Sequence, residues 1–176
     1  MFVAIVSIAL LVAFVLVTAL FVPKAYTIKR SISIRSSKKD VFDYLRFLRN
    51  HDNFSKWAKI DPNMKKEFKG IDGTLGFQSS WDSANKKVGK GEQEIKKITE
   101  GQSIDYELRF LKPFKATSTA TFATERLTGA ETKVVWTFNG SMNYPMNILL
   151  LFMKMEKILG PDLEIGLQNL KQILEK

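Results

Sequence analysis

The chain opens with an unbroken apolar run, FVAIVSIALLVAFVLVTALFV at residues 2–22, interrupted only by the weakly polar Ser7 and Thr18. A helix needs about 20 apolar residues to cross the hydrocarbon core of a bilayer. This run reaches that length before Pro23-Lys24 stops it. A cleaved signal peptide is the competing reading, and it calls for a basic n-region, a shorter apolar stretch and a small-x-small cleavage site. Nothing basic precedes the run except the amino terminus, and LFVPKAY holds no clear Ala-x-Ala site. The expectation is a transmembrane anchor over residues 1–23 and one further domain over 24–176.

Beyond the anchor the periodicity changes. AYTIKRSISIR, residues 25–35, puts Ile28, Ile32 and Ile34 on one face, as a strand does. Ser36 or Ser37, with Asp40 placed for a capping box, then starts a helix with an apolar stripe of Val41, Phe42, Leu45 and Leu48. A short helical piece over 52–58 carries Phe54 and Trp57. From Met64 onward strand follows strand, with turn signals at 70–73, 83–85, 100–101 and 128–130. The clearest alternation sets Ile104, Tyr106, Leu108 and Phe110 against Asp105, Glu107 and Arg109, and Val134, Trp136 and Phe138 share a second such face. Gly89 and Gly91, two apart on a strand, point to one face and permit bending or close backbone approach. A last helix is predicted to begin at Pro161, with Asp162 and Glu164 at its positive end. Its stripe is Leu163, Gly166, Leu167, Leu170, Ile173 and Leu174. The order is strand, two helices, about six antiparallel strands and a long helix, an α+β arrangement whose helix covers the apolar face of the sheet.

Charge sharpens the picture. All charged side chains follow residue 22, so the net charge of +9 belongs to the domain. Lys24, Lys29, Arg30, Arg35, Lys38 and Lys39 precede the first acid, Asp40. Basic residues beside a span stay on the cytoplasmic side. The expected location is therefore the cell membrane, single-pass, with the domain inside. A basic domain is favoured beside an anionic leaflet, against the plainer reading of solvated lysines. No compact Lys/Arg run interleaved with aromatics appears, so no nucleic-acid partner is expected. With no cysteine and a single histidine, neither a thiolate nor a His-based metal site is expected, and no cofactor.

Certain stretches in this order resemble the START-like, SRPBCC superfamily, in its bacterial polyketide cyclase/dehydrase-like branch. They are the opening strand into VFDYL (41–45), WAKIDP (57–62), WDSANKKVGKG (81–91), KVVW (133–136) and DLEIGLQNLK (162–171). The likeness spans residues 25–176. It implies a helix-grip fold, an antiparallel sheet curved around the long C-terminal helix, with an apolar cavity between them. It also implies a binding module for a hydrophobic small molecule or lipid. The cavity residues it points to are Trp57, Phe77, Trp81, Tyr106, Leu108, Phe110, Phe122, Trp136, Phe138, Leu163 and Leu167. A filled core would use the same residues.

Two further functions compete. A cyclase- or dehydratase-like enzyme needs an ionisable group facing the cavity, and Asp61, Tyr106 and Glu92 are the candidates; no catalytic residue is assigned. A ligand-free protein-interaction domain needs no cavity. His51, beside Asp52, reads as an exposed residue at a helix end rather than half of a catalytic pair. YPMNILLLFMKMEKIL, residues 144–159, is too short to span a bilayer. It is either a buried cap on the core or a membrane-facing gate formed by Leu150, Phe152 and Met153.

Overall fold

The computed structural model describes residues 1–176 throughout. The apolar run forms helix α1, Phe2–Phe21, in which only Ala19 is buried. By length and composition this helix suits a membrane span or a signal sequence. Val22–Lys24 lead directly into strand β1, Ala25–Ile34.

Helix α2, Lys38–Arg46, starts where Ser37 caps it, the Ser37 Oγ accepting the Asp40 N–H at 3.2 Å and donating to its carboxylate at 2.6 Å. The stripe expected to run through Leu48 is split at Phe47, whose extended backbone ends α2 and opens α3, Leu48–Phe54. The break is held from outside: the Asp72 carboxylate accepts the N–H groups of Leu48 and Arg49 at 2.8 and 3.2 Å, filling the N-cap role that Phe47 cannot. Helix α4, Lys56–Ile60, follows.

Six strands complete the sheet: β2, Lys65–Lys69; β3, Gln78–Asp82; β4, Lys90–Thr99; β5, Ser103–Lys112; β6, Ala116–Arg126; and β7, Thr132–Ser141. Their order is β1-β7-β6-β5-β4-β3-β2, antiparallel throughout. Register shifts at Lys90/Gly91 and Ile95/Lys97 interrupt the β4–β5 pairing, and such bulges bend a strand. Gly89 lies outside the strand in a turn with φ of 67°, so only Gly91 shares the inner face. A Cβ on Gly91 would stand 2.5 Å from the Trp81 ring, so the glycine leaves room for that indole.

A 3₁₀ turn, Met146–Leu151, precedes helix α5, Met155–Leu174. α5 starts six residues before the expected Pro161, which sits inside it. Proline removes one N–H from the helical ladder, and the carbonyl it would have met, on Lys157, belongs to an exposed residue. Asp162 and Glu164 then act as ion-pair partners, of Lys56 and of Arg30, rather than as N-terminal charges. Arg30 on β1 clamps the helix, bonding Glu156 and Glu164 at 2.5 Å each.

The inner face of the sheet, with α2, α3 and α5, encloses one core that includes Phe42, Leu45, Phe54, Phe122 and Leu170. The outer face is polar. There Arg109 on β5 reaches Glu92 at 2.5 Å, Glu94 at 2.9 Å and also Glu107.

Candidate functional site

The residues expected to line a cavity fall into two groups. Phe77, Tyr106, Phe122, Trp136, Leu163 and Leu167 are buried. Trp57, Leu108 and Phe138 are half-buried and pack against that core. Trp81 and Phe110 pair edge to face at 6.1 Å toward the end of the sheet. Trp136 is the hub. Its ring lies 4.7 Å from Phe122, 6.2 Å from Phe54 and 6.5 Å from Trp57, over Gly166, where a Cβ would come within 2.7 Å. Its Nε1 is buried and has no partner within the protein. Buried N–H groups are nearly always paired, so this donor faces the interior with its capacity unused.

Tyr106 points toward α2 rather than α5. Its hydroxyl donates to the Leu45 carbonyl at 2.8 Å, and burial pushes its pKa well above the ordinary phenol value. His51 corrects the expectation of an exposed helix end. It is only 8% exposed, its Nε2 lies 2.9 Å from the same Leu45 carbonyl, and its ring sits between Phe54, Tyr106 and Phe122 at 5.1–5.4 Å. The carbonyl can only accept, so Nε2 carries a proton. Burial lowers its pKa to about 4.

The other enzymatic candidates are also tied up. Glu92 faces outward in the Arg109 cluster. Asp61 accepts the Ser83 hydroxyl at 2.5 Å and the Asn63 N–H at 3.2 Å. It borders a polar cleft of about 910 Å³, flanked by Lys65, Lys86 and Lys112, rather than an apolar pocket.

The apolar opening lies elsewhere, at the foot of α1. Val22 and Pro23, the first residues of β1 (Ala25, Tyr26, Thr27, Ile28), Leu150 and Leu151 of the 3₁₀ turn, and Met153, Met155 and Glu156 enclose about 290 Å³. None of the residues expected to line the cavity borders this cleft, but the expected gate residues Leu150 and Met153 do. Phe152 projects outward instead, 78% exposed. Ile28 connects the cleft with the core, since it lines one and belongs to the other. Tyr26, on the rim, lies against Gly140, where a Cβ would meet its ring at 2.3 Å, and burial raises its phenol pKa.

The curved antiparallel sheet holding a long C-terminal helix is the START-like, SRPBCC-type helix-grip fold. Solved structures share it. The Aha1 dimer from Colwellia psychrerythraea matches with a TM-score of 0.59 and 14% identity, over 85% of this chain and 96% of that one. A norcoclaurine synthase point mutant from Thalictrum flavum, in complex with a transition-state analogue, matches with a TM-score of 0.62 and 9% identity, over 85% and 94%. Ara h 8.0201 matches with a TM-score of 0.56 and 12% identity, over 85% and 97%. At these identities the likeness is one of fold. No family model matches the sequence, and no curated protein does.

Proposed function

We propose that this protein is a membrane-anchored binding module for a hydrophobic small molecule or lipid. In this reading residues 2–22 cross the cell membrane once, residues 24–176 form the binding domain, and that domain stands on the cytoplasmic side. The observation that carries the reading is the apolar cleft where the anchor meets β1 and the 3₁₀ turn. A ligand leaving the bilayer meets that opening first. Leu150 and Met153 on its lining act as its gate, with Phe152 on the outer side.

Two further observations support a path inward. Ile28 lines the cleft and belongs to the core, and deeper in that core the Trp136 Nε1 has no partner within the protein. The ligand cavity of this reading is the sheet–helix interior lined by the aromatic and leucine side chains around Trp136. A protein of the same fold, norcoclaurine synthase, is solved with a transition-state analogue bound. That neighbour is an enzyme, but the residues here weigh against the enzymatic alternative, because Tyr106, Glu92 and Asp61 are each engaged in bonds within the protein.

The test uses the full chain in liposomes that contain a phospholipid carrying a diazirine on its acyl chain. Irradiation followed by peptide mapping is expected to label Tyr26, Met153 or Met155 in addition to α1. Label confined to α1 would rule out the cleft as a lipid site.

A further inference from the structure

Asn147 has no charge to pair and no catalytic neighbour, yet its side chain is fully buried. Its Nδ2 donates to the carbonyls of Ala19 at 2.7 Å and Val22 at 2.8 Å. The last carbonyls of any helix lack intrahelical partners, and at the edge of a hydrocarbon layer such orphan groups are costly. One amide therefore closes the end of α1 from the 3₁₀ turn. The covalent connection leaves little slack either. Only Val22–Lys24 separate α1 from β1, the Met142 N–H bonds the Lys24 carbonyl at 2.8 Å, and Ala25 already pairs with Ser141.

We infer that α1 and the domain are one rigid piece, clasped by Asn147, and that this clasp seats the 3₁₀ turn in the interfacial layer of an anionic phospholipid bilayer. The inference rests on the reading of α1 as a membrane span. Its partner follows from position and charge. The clasp holds the turn level with the last turn of α1, whose Leu20 and Phe21 are 65% and 83% exposed. On the turn, Met146, Leu151 and Phe152 are 57%, 55% and 78% exposed, which continues the apolar surface of the span without a break in character. A continuous exposed apolar patch marks an interaction surface. Residues 141–153 carry no charge, and exposed Lys24, Lys154 and Lys157 flank them. Lysines in that place lay their stems along apolar surface and their ammonium groups at headgroup level, where an anionic leaflet attracts them. The same orientation turns the cleft beneath the turn toward the acyl chains.

The chain has no cysteine, so single labels can be placed without background. Full-length Leu11→Cys, Phe152→Cys and Phe114→Cys each carry an environment-sensitive fluorophore, in liposomes of phosphatidylcholine and phosphatidylglycerol containing brominated acyl chains. Phe152 and Phe114 are 78% and 82% exposed, so neither change disturbs packing, and Phe114 lies in the β5–β6 turn. Expected are strong quenching at Leu11, intermediate quenching at Phe152 and none at Phe114. With Asn147→Ala added, Phe152 quenching drops toward the Phe114 level while Leu11 is unchanged. No quenching at Leu11 overturns the span itself. Quenching at Leu11 with Phe152 as dark to bromine as Phe114 overturns the seat alone. Phe152 quenching that ignores Asn147→Ala overturns the clasp. Replacing phosphatidylglycerol with phosphatidylcholine is expected to weaken only the Phe152 signal, and an equal signal overturns the anionic preference.

Discussion

Acid should weaken this fold through one side chain before any other. His51 is the only histidine in the chain, and burial among Phe54, Tyr106 and Phe122 outweighs the help its cation would get from the Leu45 carbonyl, Asp52 and Asp72. Its pKa falls from 6.5 to about 4. Between those values the unfolded chain binds a proton that the folded chain refuses. Stability therefore rises with pH across that window, is fully present above 6.5, and is lost as pH falls toward 4. Each pKa unit is worth about 1.4 kcal/mol, so the whole window amounts to about 3 kcal/mol and the part from 6.5 down to 5 to about 2 kcal/mol. Stopping at pH 5 limits interference from Asp82, Glu94 and Glu175, whose pKa values are lowered by partners and whose contributions are lost further down. All three tryptophans lie in the domain, at 57, 81 and 136. Urea unfolding of the full chain in detergent micelles, followed by tryptophan emission, thus reports on the domain. Between pH 7 and pH 5 the midpoint should fall by about 1 M. His51→Gln should start lower and show no such slope. A wild-type midpoint that is level from pH 7 to 5, or a slope that survives in His51→Gln, would refute the argument. The single imidazole resonance in a proton NMR titration gives the same answer directly.

Other perturbations have definite expected outcomes. Trp136→Ala removes the hub of the aromatic cluster and should cost about 3–5 kcal/mol in urea unfolding; a near-neutral change would mean the indole is not packed as described. Gly166→Val drives a side chain into the Trp136 ring, which a Cβ alone already approaches to 2.7 Å, and should cost about 1–3 kcal/mol, with a change in tryptophan emission that Gly129→Ala lacks. If residues 2–22 span the membrane as proposed, protease added to intact spheroplasts should spare the domain, because the basic residues cluster just after that run. Digestion of the domain there would reverse the orientation.

What the sequence revealed follows the range over which each feature is determined. Alternation in 104–110 and 132–138 located β5 and β7 because each strand writes its own period of two. The stripe from Leu163 to Leu174 located the long helix, but Gly160-Pro161 read as a boundary. A proline inside a helix loses one ladder bond, and here the helix runs through it, the lost bond falling on the carbonyl of exposed Lys157. The split between α2 and α3 was illegible because the group that caps α3, Asp72, lies 24 residues from Leu48. His51 was misjudged for the same reason. Asn50 and Asp52 beside it suggest a wet helix end, whereas Tyr106, 55 residues away, and Phe122 enclose it.

The junction of anchor and domain is the extreme case, and it bears on what kind of machine this is. Nothing about Asn147 in YPMNILLLF distinguishes it from a loop asparagine, because its partners stand 128 and 125 residues earlier. Read locally, the chain is an anchor followed by a domain, and the anchor is a tether that only raises local concentration. Read with the Asn147 bonds and the three-residue connection, α1, if it is the span proposed above, fixes how the domain meets the membrane. A tether leaves every face of the domain equally near the bilayer. A clasp presents one face, the one with Leu150, Met153 and the cleft. The two alternatives differ in a measurable way. If the anchor is only a tether, inserting a flexible Gly/Ser linker between Pro23 and Lys24 leaves acyl-chain photolabelling of Met153 and Met155 unchanged, since such linkers of a few residues keep the domain within about 10–20 Å of its starting place. If orientation matters, the same insertion combined with Asn147→Ala, which frees the Ala19 and Val22 carbonyls, abolishes that labelling while α1 stays labelled and the fold, judged by tryptophan emission, stays intact.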